Sequence, residues 1–314
     1  MARYDDKYWW SGEGLRLHYR DYAADAAHAD RPALLCLPGL TRNARDYARF
    51  AERYAGEWRV ICPEMRGRGE SAYAKDPMTY VPLTYVQDLE RLLADIAPQK
   101  FVAVGTSLGG ILTMIMAPTH RDRLAGALIN DVGPTIEEAG LDRIRHYVGT
   151  GGSHLTWVHA ARAVAETQAR NYPDYTLEDW LGMAKRLYRL NSSGRIVLDY
   201  DMRIAEPFKV PGNESGVDMW PVMAAFRDLP TLILRGELSD LMSEATGRRM
   251  EREIGASADY VVVPQVGHTP TLEEPEAVAG VERLLARVLA GAPLLQPLPA
   301  PPASENGPPG EPPH

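Results

Sequence analysis

Short, nearly unbroken apolar runs recur along this chain, at residues 33–37, 59–62, 101–104, 124–129, 231–234 and 260–263. Each is too short for a buried helix, and its Val, Ile and Leu content suits a strand covered on both faces. The segments between them have helical spacing. Ala44, Tyr47, Ala48 and Ala51 fall on one face, and Val86, Leu89, Leu92, Leu93 and Ile96 on another. Further helical stretches open at 108 and about 243, and the last begins near Glu274. Pro275 stands in its first turn, where a missing N–H costs nothing. Strands alternating with helices predict an α/β fold with a mostly parallel sheet flanked by helices. Before these runs, alternating polar and apolar residues flank Gly12-Glu13-Gly14, which predicts a hairpin at one edge.

The alternation stops between 134 and 226. That stretch shows helical patterns at 157–169 and 177–190 and no clear strand, so it reads as an insertion. The expected organisation is a core made of 1–133 and 227–290, a helical cap over 134–226, and a tail over 291–314. The tail is Pro-rich and polar and is expected to be disordered, because it has little apolar area to bury.

The chain has 314 residues, 45% hydrophobic and 24% charged, enough to bury a wide sheet. Its formal net charge of -8 and its dispersed arginines argue against a nucleic-acid partner. The first residues carry Asp5, Asp6 and Lys7 and form no apolar signal region. The apolar runs are shorter than the roughly 20 residues needed to span a bilayer. The expectation is a cytoplasmic protein with no membrane partner. Cys36 and Cys62 each lie inside a strand run, which predicts buried thiols rather than a disulfide framework. There is no phosphate loop, dinucleotide fingerprint or metal-ligand cluster, so no cofactor or metal is expected.

Gly105-Thr106-Ser107-Leu108-Gly109 is a G-x-S-x-G sequence placed between a predicted strand and a predicted helix. That context suits a sharp turn that lifts a Ser hydroxyl above the sheet edge, with small residues on both sides to avoid collision. The helix N-terminus behind it favours developing negative charge. A Ser hydroxyl needs a base. Among the eight histidines, His268 alone follows a late strand on the same sheet edge as the turn. The base in turn needs an acid. Asp240, after the 231–234 strand, is the first choice, with Asp131 and Glu237 as alternatives. The oxyanion needs backbone donors, expected from Leu108 and from Leu40 in the loop after residue 37. Thr41 either adds a hydroxyl there or caps the following helix.

Several segments together resemble the α/β-hydrolase superfamily, in particular small bacterial carboxylesterases and enol-lactonases with a helical cap. They are Leu37-Pro38-Gly39-Leu40-Thr41, Glu64-Met65-Arg66-Gly67-Arg68-Gly69-Glu70-Ser71, Gly105 to Gly110, Gly236 to Asp240, and Gly267-His268. The chain departs from the usual pattern at Pro38, where His is common, and at Glu64, where Asp is common. The resemblance implies an eight-stranded sheet, a lid, and two-step hydrolysis through an acyl-Ser intermediate. The expected activity is a carboxylesterase acting on small-molecule esters of small to medium acyl chain. A lactonase, a carbon–carbon bond hydrolase and a non-catalytic ligand-binding relative are the alternatives. Trp157, Met219, Trp220 and Met223 of the insertion are expected to line an apolar substrate pocket.

Overall fold

The structure is a computed structural model and describes residues 3–96, 98–210 and 218–291. Apart from Gly291, the expected disordered tail lies outside the described residues. The strands are β1 (Asp5–Trp10), β2 (Arg16–Tyr22), β3 (Ala33–Leu37), β4 (Val60–Glu64), β5 (Phe101–Thr106), β6 (Leu124–Asn130), β7 (Tyr188–Leu190), β8 (Ile196–Leu198), β9 (Thr231–Gly236) and β10 (Ala258–Val263). The helices are α1 (Ala48–Tyr54), α2 (Pro82–Ile96), α3 (Leu108–Met116), α4 (Glu138–Tyr147), α5 (Trp157–Gln168), α6 (Leu177–Leu187), α7 (Glu244–Ile254) and α8 (Pro275–Ala290).

The main sheet has eight strands in the order β1-β2-β4-β3-β5-β6-β9-β10. From β4 to β10 all neighbours are parallel, while β1 and β2 form the antiparallel hairpin and β2 runs antiparallel to β4. Side chains alternate across a strand, so each apolar run feeds two cores. Leu35, Leu37, Ala103, Ile129 and Ile233 join the side chains of α2, α3 and α7 on one face. Leu34, Cys36, Val104, Leu128 and Leu232 join those of α1 and α8 on the other. Full burial of each Leu or Ile contributes roughly 1.5–3 kcal/mol. That two-sided demand is why these runs are apolar throughout. Cys36 and Cys62 are buried free thiols within this core.

Between β6 and β9 the chain inserts α4, α5 and α6, followed by short 3-10 turns. Ala160, Ala161 and Val164 of α5 bury against Trp180, Met183 and Ala184 of α6. The helical pattern expected over 177–190 is cut short. The helix stops at Leu187, and β7 pairs antiparallel with β8, a hairpin that sequence reasoning missed. Among the described residues, no helix is long and apolar enough to cross a membrane.

Candidate active site

The loops after β3, β5, β6, β9 and β10 all leave the carboxyl edge of the parallel strands, where open α/β sheets place their ligands. Ser107 sits at the sharpest of these exits, between β5 and α3, with φ 53° and ψ −114°. A non-glycine residue in that region is strained and persists only where its surroundings hold it. The hold here is visible. Ser107 N–H donates to Asn130 O at 2.9 Å, and Ser107 O accepts from Gly110 N–H at 2.9 Å. A β-carbon on Gly105 would strike the Gly109 carbonyl, and one on Gly109 would strike the Leu37 carbonyl. Only glycine at both positions lets the strand, turn and helix pack this tightly.

Ser107 Oγ lies 2.9 Å from His268 Nε2, and His268 Nδ1 lies 2.7 Å from Asp131 Oδ2. An ionised carboxylate only accepts, so Nδ1 carries the imidazole proton and Nε2 is left to accept from the Ser hydroxyl. Asp131 is fully buried. Its carboxylate also accepts from Gly236 N–H at 2.9 Å and Ser239 Oγ at 2.8 Å. These bonds let a buried charge stand beside the imidazole.

The place beside the imidazole expected of Asp240 is therefore held by Asp131. Asp131 directly follows β6, which lies between β5 and β9, so its side chain stands between Ser107 and the loop after β10. Asp240 is further out. The loop after β9 turns at Ser239, whose N–H donates to Gly236 O, and packs on α4. There Asp240 forms a bidentate pair with Arg143, at 2.7 and 2.8 Å. Glu237 is exposed and accepts from Gln265 N–H. The available signal for Asp131 was its position immediately after a strand adjoining the Ser-bearing one.

Leu108 opens α3, so its N–H has no intrahelical acceptor. Leu40 follows Gly39, which runs beside Ser107: a β-carbon on Gly39 would lie 3.7 Å from Ser107 Cβ. The Leu40 carbonyl is gripped by Arg68, whose Nε and Nη2 donate at 2.8 and 2.7 Å. Arg68 is itself fully buried and donates through Nη1 to Arg66 O and Tyr85 Oη. Glu64 accepts from Ala44 N–H and Glu70 N–H, tying the same loops together. The Glu64-to-Ser71 segment thus braces the loop carrying Leu40, a role the sequence pattern alone did not disclose. Asn43, not Thr41, caps the turn that follows.

Residues of the insertion hold His268 through both of its chain neighbours. Gly267 N–H donates to Asn171 O at 2.6 Å, and Tyr172 Oη donates to Thr269 O at 2.7 Å. Burial pushes the Tyr172 phenol up to about 12, so it stays a neutral donor.

A cavity of about 330 Å³ opens over Ser107 and His268. None of the four residues expected to line it does so. Met223 is buried in the main core, and Met219 packs against that core. Trp157 packs against the cluster holding α5 and α6. Trp220 is tied to Thr135 by its indole N–H at 3.0 Å and lies under Arg249. Their apolar bulk goes to packing rather than to a ligand. The lining instead includes Arg42, Arg143, Tyr147, Tyr172 and Tyr200, with Leu198 and Ile144 among the apolar members. Among the described residues no cluster of His, Cys, Asp or Glu could hold a metal ion.

The model of the alpha/beta hydrolase family matches residues 34–281. The chain belongs to the alpha/beta hydrolase family. It is similar to a 3-hydroxybutyrate-oligomer hydrolase of Cupriavidus necator, 32% identical over 84% of this chain and 91% of the relative. It also resembles a 2-(acetamidomethylene)succinate hydrolase of Mesorhizobium japonicum, 27% identical over 78% of this chain and 84% of the relative. The crystal structure of an alpha/beta hydrolase from Novosphingobium aromaticivorans superposes with a TM-score of 0.86 at 54% identity, covering 91% of this chain and 99% of that one.

Proposed function

We propose that this hydrolase cleaves carboxylic esters through an acyl-Ser intermediate, with Ser107 as nucleophile, His268 as base and Asp131 as its acid partner. The observation that carries this reading is the continuous chain from Ser107 Oγ to His268 Nε2 and from His268 Nδ1 to Asp131 Oδ2, at 2.9 and 2.7 Å. Ser107 Oγ attacks the carbonyl carbon as its proton passes to His268 Nε2. Asp131 stabilises the imidazolium and keeps its orientation. The N–H groups of Leu40 and Leu108 receive the oxyanion, each such donor being worth roughly 3 kcal/mol in the transition state. His268 then returns the proton to the leaving alcohol, and water repeats the two steps to release the acid.

The substrate we assign is a small ester. A cavity of about 330 Å³ suits a ligand of that size. The Cupriavidus necator relative is named for oligomers of 3-hydroxybutyrate, whose units are joined by ester bonds. In this reading residues 134–226 act as a cap, since α4, α5 and α6 supply one wall of the cavity. The test is turnover of p-nitrophenyl acetate and butyrate by wild type and by Ser107→Ala. The proposal expects wild type to hydrolyse them and the variant to lose about 10⁴-fold or more. Equal turnover by both proteins would overturn it.

A further inference from the structure

Two guanidinium groups reach the cavity over Ser107, and each is held along only one edge. Arg42 lies in the loop just beyond Leu40. A β-carbon on Gly39 would be 3.2 Å from Arg42 Cγ and 3.7 Å from Ser107 Cβ, so the Arg42 side chain starts beside the nucleophile. Its Nε and Nη2 both donate to Asp46. Arg143 lies on α4, and its Nε and Nη2 both donate to Asp240. The Nη1 group of each arginine has no hydrogen-bond partner among the described residues. Tyr147 is four residues after Arg143 on the same helix face and also lines the cavity. Its hydroxyl has no partner among the described residues either.

This is a donor-rich wall in an otherwise mixed pocket. The paired carboxylates cancel much of the net charge, but they also hold each guanidinium plane through Nε and Nη2, leaving the Nη1 N–H groups unspent. A guanidinium whose planar fork is fixed gives up little freedom when it binds a second anion. A neutral ester offers these donors only an uncharged carbonyl oxygen in place of water, so it gains little from them. A carboxylate returns charge-assisted hydrogen bonds.

We infer that the ester this site accepts carries a free carboxylate, received by Arg42 Nη1, Arg143 Nη1 and Tyr147 Oη, beside the scissile bond. The inference rests on the ester-hydrolase reading and narrows its substrate class to anionic esters. The charges on the two arginines are secure. Asp240 raises the Arg143 pKa, and at Arg42 the Asp46 carboxylate outweighs the burial that would lower it. At Tyr147, burial raises the phenol pKa against the opposing pull of Arg143 and Arg42, so the hydroxyl remains a donor.

The test compares kcat/KM for the linear dimer of 3-hydroxybutyrate and for its methyl ester capped at the carboxylate, with p-nitrophenyl acetate as a reference. Wild type should prefer the free acid by about tenfold or more. Arg42→Met and Arg143→Met should each shrink that ratio towards about one, with the loss mainly in KM. Thermal melting of each variant reports whether it folds. Should either fail to fold, the wild-type ratio and its decline with added salt decide the matter, because an ionic contact is screened. Equal turnover of the two dimers by wild type would overturn the inference while leaving the ester-hydrolase reading intact. So would a preference that survives in both folded variants. Failure to turn over any of the three substrates would overturn the hydrolase reading and this inference with it.

Discussion

Asp131 Oδ2 stands 2.7 Å from His268 Nδ1, whereas Asp240 is committed to Arg143 by two hydrogen bonds. The two acids leave neighbouring strands and have different work. Asp131→Asn keeps the shape but offers Nδ1 an amide, which favours the wrong imidazole tautomer. Its kcat should fall about 10⁴-fold. Asp240→Asn should cost less than about tenfold on p-nitrophenyl acetate. Steady-state kinetics of the two variants separates the roles.

In the proposed reaction Arg68 acts through Leu40. Its guanidinium is buried and holds the Leu40 carbonyl through two bonds. Arg68→Met would leave that carbonyl unsatisfied and free the loop that presents the Leu40 N–H. The expected result is a fall in kcat of about 10- to 100-fold with a smaller change in KM, a fraction of the roughly 3 kcal/mol that an oxyanion donor supplies. Arg68→Lys should recover only part of it, since a point charge cannot reproduce a two-pronged grip.

Gly109 meets the backbone of β3 so closely that no β-carbon fits. Gly109→Ala must push α3 away from Leu37 or open the turn at Ser107. A loss of about 3 kcal/mol in unfolding free energy is expected, together with loss of activity. Chemical denaturation and ester turnover measured on the same preparation would check both.

How much of this was legible beforehand depends on how local the cause is. The apolar runs announce the strands because each must be covered on both faces, and Ser107 and His268 stand out by the strand ends they follow. Asp131 was harder to choose, because the competing loop after β9 carries both Asp240 and Glu237, and only packing on α4 turns Asp240 away. The pocket lining depends on packing in the same way. Trp157, Met219, Trp220 and Met223 have the bulk of pocket residues, but that bulk fills the joints of the insertion and the core. Arg42 and Arg143 gave no local signal, because surface arginines are ordinary and their place at the cavity comes from long-range packing.

Acid should loosen the Arg143–Asp240 pair in a defined direction. Burial would raise the Asp240 carboxyl, but Arg143 outweighs it and holds the carboxyl below its usual range. A depressed folded-state pKa means the stabilisation is present above the unfolded value, about 3.9, and is lost as pH falls through the folded value. The melting-temperature gap between wild type and Asp240→Asn should therefore be larger at pH 7 than at pH 3. A gap independent of pH would show that the ion pair contributes nothing to stability.

Every role assigned above depends on Ser107 being an activated nucleophile. The most direct measurement is the intact mass of the protein after treatment with a fluorophosphonate, followed by peptide mapping. A single adduct is expected, on the peptide bearing Ser107, with none on Ser107→Ala and much slower labelling of Asp131→Asn. An unmodified wild-type protein, or an adduct that persists in Ser107→Ala, would overturn the assignment of Ser107.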